Sequence, residues 1–415
     1  MRPVFRCIIT AGCMVAFATP ALAQFNSGAP WGPDTFAGLE VTFIDRTAVD
    51  EDIAHYRFWV ETGPGEFDKV RIHRVVREDK RFRPKDTVDS MFLLPGSPQF
   101  FEGIFMPAPE QSFAIYLARN GIDVWGMDWG WDFVPAGTTD FSMFEGWGVD
   151  KDARHTDLAL SVARRIRTLT GQGNGRLHLL GFSYGVPVAY AVAGAETQRP
   201  PGHRNVKGLI PVDLNFKVST VGARSNNCNG AITTKANALD NGIYEVMEPL
   251  ALIGNLAQSA PDDWSPFFRE LTNYEFAVFI GIPGFVTGTP PASLTYTDPD
   301  LWVDLLATSP VYRTQQAAYD MSAARCDDDA VAPVAFDDHL DKIALPIFYV
   351  GKHAAFGMHA ATLTASADIS QWLVNPPATP NLAHGDLFLA PDAETWVWSP
   401  ILEWVLARKA NPEPF

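Results

Sequence analysis

Short, wholly apolar runs recur along the chain, and longer stretches with helical spacing separate them. Met91-Phe92-Leu93-Leu94, Ile122 to Met127, Leu177-His178-Leu179-Leu180, Val206 to Val212 and Ile347 to Gly351 read as buried strands. Ser112 to Asn120, stopped by Gly121, reads as a helix. So do Val186 to Glu196 and Asp150 to Thr170, the latter with apolar residues at 158, 162, 166 and 169. Earlier, His55 to Glu61 and Val70 to Val76 predict two strands around a Gly63-Pro64-Gly65 turn. Later, a helix near 359–366, a strand near 368–374 and an amphipathic helix over Thr395 to Arg408 follow. Strands separated by helices predict an α/β fold with a mainly parallel sheet, covered by helices on both faces. Residues 214–343 break this rhythm. They hold many aromatics and several Pro/Gly breaks, and predict one inserted, mostly helical cap.

Composition changes the picture at the N-terminus. Arg2 and Arg6 precede a mostly apolar stretch from Cys7 to Ala18, and Ala21-Leu22-Ala23 ends in a small-x-small pattern. This predicts a signal peptide over 1–23, cleaved after Ala23. The apolar stretch is too short to span a bilayer of about 30 Å. A lipoprotein signal ending at Cys13 is the alternative, with a very short apolar run. Residues 24–40 form an irregular lead-in. The predicted organisation is therefore a leader (1–23), a first core part (24–213), a cap (214–343) and a second core part (344–415).

The 415 residues are 47% hydrophobic and 19% charged, enough apolar matter for a sizeable core. The net charge is −16, or −18 once Arg2 and Arg6 have left, which disfavours nucleic acid or an anionic membrane as a partner. No later segment has about 20 unbroken apolar residues, so no integral membrane segment is expected in the mature chain. The expected location is the periplasm or the medium. Of the four cysteines, Cys228 and Cys326 outlast the leader. In an exported chain they predict one disulfide rather than two buried thiols. Neither Cys-x-x-Cys nor His-x-x-x-His spacing is present, so no metal site is predicted.

The chemistry concentrates at Gly181-Phe182-Ser183-Tyr184-Gly185, between a predicted strand and a predicted helix. Strand, G-x-S-x-G and helix make a nucleophile elbow. Gly181 and Gly185 let the chain turn sharply, and the serine hydroxyl stands above the sheet. The order strand, Pro95-Gly96-Ser97-Pro98, helix, strand, helix, strand, elbow, helix, strand with Asp213, cap, strand, strand and a loop with His384 resembles the α/β-hydrolase family over nearly the whole mature chain outside the cap. The resemblance implies a catalytic serine, an acid and a histidine in that chain order. Of nine histidines, His384 alone follows the last strand and precedes the final helix, within Ala383-His384-Gly385-Asp386. His353 and His359 follow the preceding strand and are candidates to face substrate, whereas His178 reads as a core or edge residue. The stretch from Gly351 to His359 holds no acid, so Asp213 is the expected acid, with Asp368 as the alternative; Asp386 stands too close to His384 in sequence to orient it easily. The oxyanion amides are expected on Tyr184 and Ser97, with Pro95 where the family often has histidine. Asp128-Trp129-Gly130-Trp131-Asp132 reads as a strand-end turn before it reads as a second carboxylate pair.

These readings predict an exported serine hydrolase acting on a small or polymeric carboxylic ester, with an apolar acyl or alcohol group favoured by the aromatic cap. No metal or organic cofactor is implied. The same machinery serves acyl transfer or C–C cleavage beside a ketone. A non-catalytic binding module of the same fold is the third reading. Oligomeric state is left open.

Overall fold

The computed structural model describes residues 40–281, 296–352, 354–374 and 382–409. The predicted leader and nearly all of the lead-in lie outside them. One sheet organises the chain. Its strands are β1 Val41–Ala48, β2 Ile53–Glu61, β3 Lys69–Lys80, β4 Arg83–Pro84, β5 Asp89–Leu94, β6 Ile122–Asp128, β7 Leu177–Phe182, β8 Val206–Val212, and, after a two-stranded unit described below, β11 Ile347–Gly351 and β12 Ile369–Leu373. The order is β1-β2-β3-β6-β5-β7-β8-β11-β12, with β4 beside β3. From β6 to β12 every neighbouring pair is parallel. The first strands add an antiparallel meander at one edge.

The parallel strands are apolar throughout because both faces are covered. In β5, Phe92 and Leu94 enter one core cluster while Met91 and Leu93 enter the other. The first face packs against helices Val149–Leu169 and Gly185–Glu196. The second carries Phe101–Phe105, Phe113–Arg119 and Ser399–Ala407. Ser112 accepts from Ile115 N and caps the Phe113 helix, where the sequence expects it to start.

The strands expected at 55–61, 70–76 and 368–374 are present. Strand β1 was not foreseen. It pairs with β2, and a register shift between Phe43 and Asp45 interrupts the alternation that would mark it. The helix expected near 359–366 runs instead from Ala354 to Thr362. The final helix begins as a π-helical turn, Glu394–Trp398, before Ser399–Ala407.

Between β8 and β11 lie helices Val221–Asn237, Leu250–Ser259, Asn273–Ile280, Pro299–Ala307 and Gln315–Cys326, with a ladder of β9 Glu245–Met247 and β10 Tyr312–Thr314. Two small apolar clusters hold them. Ala231, Tyr319, Ala323 and Cys326 form one; Ile253, Ala257, Ala277, Val303 and Leu306 form the other. The Cys228–Cys326 disulfide joins the first and last of these helices, with a Cα–Cα distance of 4.5 Å.

Candidate active site

Parallel strands deliver their C-terminal ends to one edge of a sheet, where open α/β sheets bind ligands. Ser183 follows β7 there. It has φ +52°, the left-handed region that a serine seldom adopts. Two close approaches demand its flanking glycines. A Cβ on Gly181 would lie 2.2 Å from Gly185 O, and one on Gly185 would lie 2.7 Å from Leu94 O. The Gly185–Glu196 helix starts immediately behind, with Val186 N donating to Ser183 O at 2.9 Å, so the positive end of the helix dipole lies beside the serine.

Asp213 follows β8 directly, also with positive φ, at +50°. Its backbone N–H donates to Val350 O at 2.9 Å. Its carboxylate is buried. Oδ2 lies 2.7 Å from His384 Nδ1, and Oδ1 accepts from Lys352 N at 3.2 Å. Lys352 Nζ stands 3.5 Å from Oδ2. Burial pushes this carboxyl up, but the His384 hydrogen bond and charge, with Lys352 behind, outweigh it and hold the carboxyl below its ordinary value. His384 is 40% exposed at its side chain. Its ring stacks on Phe182, 4.5 Å between centroids, and Phe182 is the residue before Ser183.

The other candidate acids are occupied elsewhere. Asp368 pairs with Arg408 in a bidentate contact, Oδ1 accepting from Nη2 at 2.7 Å and Oδ2 from Nε at 2.9 Å. Asp386 is buried and braces the histidine loop, with Oδ2 accepting from Ala383 N at 2.7 Å and Oδ1 from Thr297 Oγ1 at 2.6 Å. His178 is buried against Trp404, as a core residue. His353 lies outside the described residues. His359 sits on the Ala354–Thr362 helix.

Ser97, Pro98, Ser183 and Tyr184 line one cleft of about 360 Å³. A Cβ on Gly96 would come within 3.0 Å of Ser183 Cβ, so the Pro95–Pro98 loop lies against the elbow. The opposite wall is Leu214, Glu248, Leu250, Arg313, Ala317 and Met321. All six come from 214–343. Arg313 Nε donates to Glu248 Oε1. The sequence reading missed these wall residues, because their segment has no period from which to read an inward face.

Among the described residues, His55, His73 and Glu102 bring ligand-type atoms close enough to share an ion. The two imidazoles are nearly coplanar and share a hydrogen bond, His55 Nε2 to His73 Nδ1, at 2.9 Å. His73 Nε2 meets Asp128 Oδ2 at 2.9 Å. Asp128 further accepts from Arg71 Nε and Phe101 N. Both nitrogens of His73 and Nε2 of His55 are thus committed to a hydrogen-bonded chain, while His55 Nδ1 stands 3.6 Å from Glu102 Oε1.

Among solved structures, a putative lipase from Sulfolobus solfataricus is similar over 89% of this chain and 99% of its own, with a TM-score of 0.62 at 18% identity. The chain has the α/β-hydrolase fold. Also similar are a soluble variant of monoglyceride lipase from Saccharomyces cerevisiae (TM-score 0.43, 14% identity, 84% of this chain and 95% of that one) and a mutant of the esterase LipA from Xanthomonas oryzae (0.45, 12%, 89% and 98%). No protein-family profile matches the chain, and no curated protein sequence does. Within this α/β-hydrolase fold, Ser183 stands after β7, Asp213 after β8 and His384 after β12, in the chain order that the fold uses for a nucleophile, acid and base.

Proposed function

We propose that this chain is an exported serine hydrolase that cleaves carboxylic esters through an acyl-enzyme. The observation that carries the reading is the His384 ring. It stacks on Phe182, beside Ser183, while its Nδ1 is engaged by Asp213.

That arrangement leaves His384 Nε2 to take the Ser183 proton as Oγ bonds to the ester carbonyl carbon. Asp213 holds the imidazole's tautomer and favours the imidazolium that forms. The carbonyl oxygen becomes an oxyanion, with the Tyr184 and Ser97 amides as its donors. The C–O bond then breaks, and the alcohol leaves with the proton from His384. Water, deprotonated by the same histidine, releases the acid and restores Ser183. The proton taken from Ser183 leaves with the alcohol, the proton taken from water passes through His384 to Ser183 Oγ as the acyl C–O bond breaks, and no step requires a metal or cofactor.

The wall of Leu214, Leu250, Ala317 and Met321 favours an apolar acyl or alcohol group. The 214–343 unit acts as the cap over this cleft. No described helix is long and apolar enough to cross a membrane, and the Cys228–Cys326 bond suits an oxidising compartment. The leader over 1–23 supplies the route there.

Hydrolysis of p-nitrophenyl esters with acyl chains of two to sixteen carbons tests the reading, with Ser183→Ala alongside. Activity lost in the variant supports it, and the preferred chain length sizes the pocket. A wild-type chain inactive on every ester, or a variant as active as wild type, rejects it.

A further inference from the structure

The turn Asp128-Trp129-Gly130-Trp131-Asp132 has no part in the steps above, yet it touches both oxyanion loops. Trp129 Nε1 donates to Gly96 O at 3.4 Å, so it ties down the residue before Ser97. The same indole meets the Tyr184 ring edge-on, 5.4 Å between centroids. Trp131 stacks on Trp129 at 7° between planes and also meets Tyr184 edge-on. Asp132 Oδ2 accepts from Trp129 N at 3.0 Å and fixes the turn.

Behind this stack lies Asp152, in the first turn of the Val149–Leu169 helix and fully buried. Its Oδ2 accepts from the Tyr184 hydroxyl at 2.7 Å and from Trp131 Nε1 at 3.3 Å. Its Oδ1 accepts from Trp147 Nε1 at 2.8 Å. Three elements thus converge on one carboxylate, and all three partners are neutral donors. Burial raises this carboxyl to about 6 against those three bonds. An ionised carboxylate accepts at both oxygens, which is what three donors need; an asparagine would turn an N–H toward one of them. A buried charge hydrogen-bonded only to neutral donors, with the Lys151 charge favouring it, is an expensive way to fill space. Geometry at Tyr184 is what it supplies in return.

We propose that Asp152 is a positioning residue: through the Tyr184 hydroxyl and the Trp129–Trp131 stack it holds the Tyr184 and Ser97 amides in the register a tetrahedral oxyanion requires. The proposal rests on the serine-hydrolase reading. Asp152 touches no reacting atom. It acts on the side chain of Tyr184, whose amide is one donor, and on the indole that anchors Gly96, whose neighbour is the other. Preorganised donors aimed at the developing charge are worth most when they need no rearrangement during the reaction.

The test compares the wild-type chain with Tyr184→Phe, Asp152→Asn and the double variant. Tyr184→Phe removes one hydroxyl and keeps the ring, so it remains informative if Asp152→Asn fails to fold. Three readouts are taken: labelling by a fluorophosphonate, kcat and KM on the best p-nitrophenyl ester, and inhibition by the matching trifluoromethyl ketone, which forms a tetrahedral oxyanion on the serine. Each single variant should lower kcat about 10- to 100-fold, with KM within about twofold. Affinity for the trifluoromethyl ketone should fall by a similar factor. The double variant should be no slower than the worse single, because both changes break one linkage. A folded Tyr184→Phe with wild-type kcat and ketone affinity overturns the positioning role while the labelled wild type keeps the hydrolase reading. So does a loss that appears only in KM or adds fully in the double variant. A wild-type chain that neither labels at Ser183 nor cleaves ester overturns both.

Discussion

The Asp213 carboxylate meets His384 Nδ1 at 2.7 Å across 171 positions of sequence, with both backbone and side-chain groups of Lys352 behind it. This contact joins the end of β8 to the loop after β12. Asp213→Asn would keep the volume but offer a donor or a neutral acceptor in place of an anion. The expected result is a fall in kcat of about 10⁴-fold at neutral pH with KM little changed. Steady-state kinetics on the best ester checks it, and an equally damaging Asp368→Asn would point to the other acid.

Close packing at the elbow gives a second outcome. Gly181→Ala would place a methyl 2.2 Å from Gly185 O, where only backbone can yield. The variant should lose roughly 1–3 kcal/mol of stability. On the proposed reading, ester hydrolysis should fall further than unfolding explains, because Ser183 moves with the turn. Urea denaturation alongside activity separates the two effects, and an active, equally stable variant would contradict the geometry.

The Cys228–Cys326 bond closes a loop of 98 positions that contains most of the helical unit between β8 and β11. A loop of that length limits the unfolded chain by an amount worth about 4–5 kcal/mol in the chain-entropy account. Replacing both cysteines by serine should therefore lower the melting temperature clearly, with the loss centred on this unit. Thermal unfolding of the double variant, with limited proteolysis to locate the opened segment, checks this.

Buried carboxyls give a pH dependence with a definite sign. Burial raises Asp320 to about 6, against hydrogen bonds from Gln316 Nε2 and Val149 N. Its folded value thus exceeds the ordinary 3.8. Between those two values the folded chain binds more protons than the unfolded one, so this residue makes stability fall as pH rises. The full effect is about 3 kcal/mol at most. Asp320→Asn can keep both contacts, because the Gln316 amide can reverse. The variant should match wild type near pH 4 and exceed it above pH 6. Parallel stability curves for the two chains over that range would exclude this role for Asp320.

Much of the molecule is decided by local pattern. A parallel strand covered on both faces must be apolar at nearly every position, so β5, β6, β7, β8 and β11 are legible from their residues alone. Ser183 is legible for a related reason. The elbow is built from neighbours in sequence, and its glycines answer contacts made within five residues or with the adjacent strand. Asp213 and His384 become the candidate acid and base through chain order once the fold is recognised. Strand β1 is not legible, because a register shift near Phe43 breaks the alternation of an edge strand.

The tertiary structure decides what depends on residues distant in sequence. The stacking of His384 on Phe182, the pairing of Asp368 with Arg408 and the wall from Leu214 to Met321 have no local signature. Asp152 is the sharpest case. In sequence it is one acidic residue in a helix's first turn, a common and ordinarily solvated place for a carboxylate. Folding buries it under Trp131, Trp147 and Tyr184, and removing water from a charge makes each remaining partner count. Apolar runs and a glycine-flanked elbow therefore determine where the strands and the serine lie. Which polar groups face one another in the dry interior is decided only when the elements pack.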